Sequence, residues 1–231
     1  MTTAIVIPTY NERENLPLLV EKIFALQIPD LHLIIVDDDS PDQTGEVAEG
    51  LAKKYGKIDV GHRKVRGRAT AGLDGFKWAL KKGAQNIMEM DADLSHDPSD
   101  IPRFLEAIKT SDVVVGSRYG EGFMANRSWF RNFLSNFANV YNRFFLGLNI
   151  RDISGGFKCY RREVMASLDL DRFVSTGYTI GAETLYRISK KGFRICEIPI
   201  IFKDRVYGIS KCTPKVMLNY LYKIIQIRFF S

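Results

Sequence analysis

The sequence predicts an α/β fold, a mostly parallel central sheet flanked by helices. Three observations carry that reading. Over the first 117 residues, short and wholly apolar runs alternate with helical patterns, as expected where helices connect parallel strands. The polar clusters Tyr10-Asn11-Glu12, Asp37-Asp38-Asp39 and Asp91-Ala92-Asp93 each follow such a run. Ligands of parallel sheets sit beyond the carboxyl ends of the strands, so clusters far apart in sequence can converge there.

In chain order, Ala4-Ile5-Val6-Ile7-Pro8 reads as a buried strand ended by proline. Asn11 is the expected N-cap of a helix reaching about Leu26. A second buried strand over 31–36 runs into Asp37-Asp38-Asp39-Ser40-Pro41, a loop and helix start, where capping should occupy at least one aspartate. A helix to Tyr55, a strand around 58–60, a helix over 70–83, a strand over 86–90, a helix over 98–109 and a strand over 112–116 follow. Residues 129–148 repeat apolar side chains at helical spacing: Phe130, Phe133, Leu134, Phe137, Tyr141, Phe144, Phe145 and Leu148. Arg131, Ser135, Asn139 and Asn142 form the other face, which fits a core-facing or a membrane-facing helix. Beyond it come a strand over 157–161, a helix within 177–190, and a strand over 195–203 whose Pro199 places it at an edge or bulge. The last helix, 213–231, carries Lys215, Asn219, Lys223 and Gln226 on one side. Met217, Leu218, Leu221, Ile224, Ile225 and Phe229 make up the rest. Its polar breaks argue against a bilayer span; it can lie in the interfacial plane, pack on the domain or meet a membrane subunit. The ending Phe229-Phe230-Ser231 invites the expectation that a membrane segment lies beyond.

The chain has 231 residues, 45% of them hydrophobic, which suits a soluble-type protein of one large domain or one domain plus an appendage. No run of 18 apolar residues is present, and the N-terminus lacks the basic-then-apolar pattern of a secretory signal. Cys159, Cys196 and Cys212 fit reduced thiols rather than a disulfide frame. His32, His62 and His96 are scattered, against a zinc site. A net charge of +6 suits an anionic partner: nucleic acid, a phosphorylated small molecule or an acidic membrane.

The chemistry centres on Met90-Asp91-Ala92-Asp93-Leu94-Ser95-His96 at a strand end. Residues i and i+2 of a strand point the same way, so Asp91 and Asp93 face one spot if the chain stays extended through Ala92. Two carboxylates held close repel unless a cation lies between them, and oxygen ligands favour a hard divalent ion, Mg²⁺ or Mn²⁺. For an arbitrary Asp-x-Asp, a solvated acidic turn is the ordinary alternative.

Five landmarks in order resemble a known family: Ile7-Pro8-Thr9-Tyr10-Asn11-Glu12, Val36-Asp37-Asp38-Asp39-Ser40-Pro41-Asp42, Met90-Asp91-Ala92-Asp93-Leu94-Ser95-His96, Gly116-Ser117-Arg118-Tyr119, and Asp204-Arg205-Val206-Tyr207-Gly208-Ile209-Ser210-Lys211. Together they look like family 2 glycosyltransferases, in the branch of the dolichol-phosphate mannose synthases and other polyprenyl-phosphate glycosyltransferases. The resemblance implies a GT-A fold. It implies a catalytic domain over 1–212, with a nucleotide-sugar half (1–117) and an acceptor half (118–212), and a separate amphipathic helix over 213–231. It implies that Pro8, Tyr10, Glu12 and Asp38 line the nucleotide pocket, and that Arg205 and Lys211 close over the diphosphate on a lid containing Gly208. Asp91 and Asp93, with Ser95, match the metal ligands; Ser95 stands where some relatives carry Gln. Arg118, Arg131 and Ser135 match acceptor-phosphate contacts, a task suited to the planar guanidinium fork. Arg66 and Arg68 depart from a loop that commonly reads Lys-Gly-Leu-Gly. Asp152 reads as structural, and Glu183 as either facing the acceptor or making a salt bridge.

The activity so implied is metal-dependent, inverting transfer of a sugar, mannose from GDP-mannose, to dolichyl or polyprenyl phosphate. Asp91, Asp93, Arg118 and Arg131 are the expected catalytic groups, and the site is peripheral, at the cytoplasmic face of a membrane or beside a membrane subunit. Alternatives are a glucosyltransferase using UDP-glucose, a family 2 enzyme with a polysaccharide or protein acceptor, or a non-catalytic scaffold. Nucleic-acid binding is disfavoured, because the strand ends are acidic and the motifs of common nucleic-acid folds are missing.

Overall fold

A computed structural model describes residues 2–64, 67–119, 129–175, 177–202 and 214–230, with backbone alone at 68, 129–135, 178, 214–217 and 230. Strands are β1 Thr3–Thr9, β2 Leu31–Asp37, β3 Ile58–His62, β4 Asn86–Glu89, β5 Val113–Ser117, β6 Lys158–Arg161 and β7 Ile195–Pro199. Helices are α1 Asn15–Ala25, α2 Thr44–Tyr55, α3 Arg68–Lys81, α4 Ile101–Ala107, α5 Trp129–Leu146, α6 Arg162–Ala166, α7 Ile180–Lys190 and α8 Pro214–Phe230. One seven-stranded sheet has the order β3-β2-β1-β4-β6-β5-β7. Only β6 runs against its neighbours, β4 and β5. The edge strand β7 ends in Pro199, where a missing N–H costs least.

Period-two alternation sorts the strand side chains into two cores. Ala4, Val6, Ile34, Val36, Ile87, Val113 and Val115 face one layer, which holds α3, α5, α7 and α8. Ile5, Ile7, Leu33, Ile35, Met88 and Val114 face the other, with α1, α2 and α4. Helix α3 presses close on the sheet: a Cβ on Gly75 would stand 2.2 Å from Val6 Cγ1.

The structure corrects two expectations and divides a helix face that the sequence left open. Asn11 is not an N-cap. It has φ +58° in a turn, its N–H donates to Ser40 Oγ (3.1 Å), and α1 begins four residues later. Extended geometry does not persist through Ala92, because β4 closes at Glu89 and Leu94 takes φ +59°. Helix α5 turns part of its apolar side outward: Phe137, Val140 and Phe144 are exposed, whereas Asn139 and Asn142 are buried. Among the described residues no helix is long and apolar enough to cross a membrane.

Candidate active site at the carboxyl edge of the sheet

Strands β1 to β5 and β7 all deliver their carboxyl ends to one edge, and the loop before β6 enters from that edge. The chemistry-bearing residues therefore fall in a row: Arg63 after β3, Asp38 after β2, Tyr10 and Glu12 after β1, Asp91 and Asp93 after β4, Asp152 before β6, Arg118 after β5. Asp38's strand lies four places from Arg118's. At about 4.8 Å per strand that is roughly 19 Å, so a ligand touching both must be extended.

The first two loops are stitched together. Successive amides of Asn11, Glu12 and Arg13 donate to Ser40 Oγ (3.1 Å), Thr44 Oγ1 (2.9 Å) and Asp42 Oδ2 (3.2 Å). None of the three aspartates caps α2, which begins at Thr44 behind Gln43 with no side-chain cap; Asp37 instead closes a loop turn, accepting from Ser40 N (3.1 Å) and Ser40 Oγ (2.6 Å), and also from Thr9 Oγ1 (3.1 Å). Glu12 Oε2 accepts from Asn15 Nδ2 at 2.8 Å, and Pro8 and Tyr10 are half-buried.

Asp38 is buried and pairs with Arg63, and its Oδ2 accepts from Gly67 N (2.8 Å). Arg63 also reaches Asp74 Oδ2 (2.9 Å) and Thr70 Oγ1 (2.6 Å), so one guanidinium ties the β3–α3 loop to β2. Each carboxylate has about four acceptor positions, which leaves Asp38 able to meet a further donor.

Asp93 is buried and closes a tight turn: Oδ1 accepts from Ser95 N (3.1 Å) and Ser95 Oγ (2.5 Å). Asp91 is half-buried, and its N–H donates to His96 Nδ1 at 3.4 Å. The His96 ring is wedged between Phe157 (5.2 Å) and Phe202 (5.5 Å), which anchors the turn to the sheet. Among the described residues no three carboxylate, imidazole or thiolate groups cluster closely enough to cage a cation alone. A pair of carboxylates at an edge suits a hard divalent ion that completes its shell with phosphate oxygens and water.

Arg118 is gripped by Asp152 in a bidentate pair, Nε to Oδ2 at 2.7 Å and Nη2 to Oδ1 at 2.8 Å. Nη2 also reaches Ser154 Oγ (2.7 Å), and the backbone N–H of Arg118 donates to Asp152 Oδ2 (3.0 Å). Asp152 is held in turn: Glu197 on β7 accepts from the amides of Arg151 and Asp152, both at 2.9 Å. Burial opposes both charges, yet each partner outweighs it. Asp152 holds the Arg118 pKa above its ordinary value, with a smaller contribution from Asp91, and Arg118 holds the Asp152 carboxyl below the usual range.

The expected residues do not all come into view. Arg131 and Ser135 lie on α5 with side chains outside the described set; Arg205, Lys211 and the lid glycine Gly208 lie wholly outside it, as does Arg66. Glu183 makes the salt bridge, buried against Arg187 (2.6 Å) and capping the amides of Val174 and Ser175. Sequence reasoning missed Arg63, His96, Ser154 and Glu197 as supports of the site. Arg63 carried a usable signal, since it directly follows a strand, as the three acidic clusters do.

The glycosyl transferase family 2 profile matches residues 4–168. The chain is 41% identical over 228 residues to a polyprenol monophosphomannose synthase of Mycolicibacterium smegmatis, covering 97% of this chain and 86% of that protein. It is 40% identical over 213 residues to an undecaprenyl-phosphate mannosyltransferase of Micrococcus luteus, covering 91% and 87%. Among solved structures, glucosyl-3-phosphoglycerate synthase of Mycobacterium tuberculosis in complex with Mn²⁺, uridine diphosphate and phosphoglyceric acid superposes with a TM-score of 0.75. That match is 15% identical and covers 100% of this chain and 79% of that one, a likeness of GT-A fold.

Proposed function

The chain belongs to glycosyl transferase family 2, and from that premise we propose that it moves mannose from GDP-mannose to a polyprenyl or dolichyl phosphate. The observation that carries the proposal is the juxtaposition at the sheet edge: β6 alone separates the strand that precedes Asp91 and Asp93 from the strand that precedes Arg118, whose guanidinium Asp152 grips through two hydrogen bonds. Such a site joins a cation-seeking side to an anion-seeking side. The names of the two mannosyltransferase relatives supply the sugar and the lipid.

In this reading residues 1–117 serve the donor and 118–212 the acceptor, with the helix over 213–231 as an appendage. Pro8, Tyr10, Glu12 and Asp38 contact the nucleoside; a tyrosine ring stacks on a base, and carboxylates accept from base or ribose donors. Asp91 and Asp93, with Ser95 bracing Asp93, hold a divalent cation, Mg²⁺ or Mn²⁺; when bound, the ion offsets the charge of the departing diphosphate. Arg205 and Lys211 add positive charge on the donor side. Arg118, Arg131 and Ser135 orient the lipid phosphate.

An acceptor phosphate with a second pKa of about 6 is mostly dianionic near neutral pH, so no side chain has to remove a proton. A phosphate oxygen forms its bond to the anomeric carbon as the bond to the diphosphate breaks, inverting that centre, and GDP leaves with the electron pair. The protein's task is to bring two anions together, which explains arginine and carboxylate along one edge. Because the acceptor is a lipid, the reaction belongs at a membrane surface, on its cytoplasmic face.

A panel of labelled GDP-mannose, UDP-glucose and GDP-glucose, incubated with polyprenyl phosphate and extracted into organic solvent, tests the proposal. Label from GDP-mannose entering the lipid phase, and losing that ability in chelator, is the expected result. Transfer only to a polysaccharide, or preference for UDP-glucose, would overturn it.

A further inference from the structure

The face of the sheet that α3 and α7 cover holds two opposite charges on neighbouring strands. Glu89 ends β4 and Lys158 opens β6, and both are buried, Lys158 to 1% exposure. The antiparallel register sets them directly opposite each other. Ile87 and Tyr160, two residues away on each strand, face the α3 layer, so Glu89 and Lys158 face it as well. Opposed side chains on one face have Cβ atoms about 5 Å apart, within reach of an attraction between opposite charges.

A buried ammonium is unfavourable unless it is paired and hydrogen-bonded, and here the helices leave room for it. Gly72 of α3 lies against the Glu89 carboxylate, where a Cβ would stand 3.9 Å from Oε1. Gly181 of α7 lies against the ammonium, where a Cβ would stand 2.9 Å from Lys158 Nζ. Packing alone does not require a charge at this place, since methionine would fill the same length without a polar group to satisfy.

The ammonium is turned toward the catalytic edge. Lys158 Nζ donates to the carbonyl of Gly155, in the loop that carries Asp152 and Ser154. Gly155 in turn lies against Asp152: a Cβ there would stand 3.4 Å from Asp152 Cγ. Burial pushes the Asp152 carboxyl up, Arg118 draws it down, and Lys158 adds to that pull. Charges therefore alternate from the interior to the edge, through Glu89, Lys158, Asp152 and Arg118. The two side chains that orient Arg118, Asp152 and Ser154, belong to the three residues just before the carbonyl that Lys158 holds.

We propose that Lys158, with Glu89 opposite it, is a positioning residue for the acceptor: it holds the 152–155 loop from beneath and so sets the pose in which Arg118 meets the lipid phosphate. The proposal rests on the acceptor role given to Arg118 above. Lys158 acts through Asp152 and Ser154 and touches no reactant. The turn carrying Asp91 and Asp93 has supports of its own in Ser95 and His96, so disturbance of the loop is expected at the acceptor rather than at the donor.

Initial rates with both substrates varied, read beside thermal melts, test this on three variants. Lys158→Met keeps the length and removes the charge. It should raise the KM for polyprenyl phosphate about tenfold or more and leave the KM for GDP-mannose within about twofold of wild type. It should also melt earlier, because it strands a buried carboxylate. Glu89→Gln/Lys158→Met removes both charges and should regain the melting temperature, yet keep the raised acceptor KM, because the Gly155 carbonyl has lost its ammonium. Gly181→Ala retains the charge and improves helix propensity, but its methyl displaces the ammonium; about threefold or more in the acceptor KM alone is expected. That variant decides the matter if the other two do not fold. Recovery of the acceptor KM along with the melting temperature in the double variant would make the pair a matter of stability only and overturn the proposal. So would equal rises in both KM values, or wild-type KM values in Gly181→Ala. Wild type that transfers no sugar to polyprenyl phosphate fails the acceptor reading and this proposal with it, whereas active wild type beside unaltered variants fails this proposal alone.

Discussion

Arg118 commits Nε and one Nη to Asp152 and Ser154, an orientation that fixes where the remaining Nη points. The sequence motif named Arg118 as a phosphate ligand but gave Asp152 no role beyond structure, because a bidentate grip between residues 34 apart leaves no local trace. Asp152→Asn keeps the shape and removes the charge. It is expected to destabilise the fold by about 3–5 kcal/mol, since it strands a buried guanidinium. It should also raise the acceptor KM roughly tenfold or more, through loss of charge-assisted bonds that hold Arg118 in place. The pair has a defined pH signature. The Asp152 carboxyl is depressed, so its contribution is complete above the ordinary carboxylate value and fades as pH falls through the folded value. Arg118 is raised, so its half disappears only in strong alkali. The stability gap between wild type and Asp152→Asn should be flat between about pH 5 and 8 and shrink below roughly pH 4, as thermal melts across pH would reveal. Cys159 gives a negative control: burial pushes its thiol far up, so alkylation in the native state should be slow until the sheet opens.

Element existence was legible from periodicity, and the exceptions have physical causes. Strand runs, the long helices and the edge position of Pro199 follow from local pattern. Helix α1 started late because the amides of 11–13 bond across to the β2–α2 loop, a tertiary demand no local propensity reveals. The short α6 went unpredicted, as five residues are too few for a period to register. Spacing gave α5 an apolar and a polar stripe but not how they divide: Phe137 and Phe144 are exposed, Tyr141, Phe145 and Leu148 pack on the core, and Asn139 and Asn142 are buried. Asn142 contributes to the α5–α8 contact: its Nδ2 is the partner of Tyr220 Oη, whose pKa burial pushes up to about 12. Removing it by Asn142→Ala should cost about 1–3 kcal/mol by leaving that hydroxyl unsatisfied, and hydrogen exchange should speed up in α8 ahead of the sheet. On the other side of the same layer, Gly75→Ala drives a methyl into Val6 and should destabilise by about 1–3 kcal/mol in urea titration, despite alanine's better helix propensity.

At the scale of the molecule, the rule that ligands meet parallel sheets at their carboxyl ends made the row of site residues foreseeable. The reversed strand β6 was not, because hydrophobic alternation carries no direction. Its insertion between β4 and β5 is what brings Asp152 from a late loop to stand between Asp91 and Arg118. The site was legible as a set of residue types and positions, and illegible as a set of partners. The central claim is a division of labour along that edge, carboxylates for the donor and arginine for the acceptor. Initial rates with both substrates varied, for Asp91→Asn and Arg118→Lys beside wild type, test it directly. Asp91→Asn should lose cation-dependent turnover by about a hundredfold or more. Arg118→Lys should raise the KM for polyprenyl phosphate roughly tenfold or more while the KM for the nucleotide-sugar stays near wild type. A rise confined to the nucleotide-sugar KM in Arg118→Lys, or undiminished cation-dependent turnover in Asp91→Asn, would contradict it.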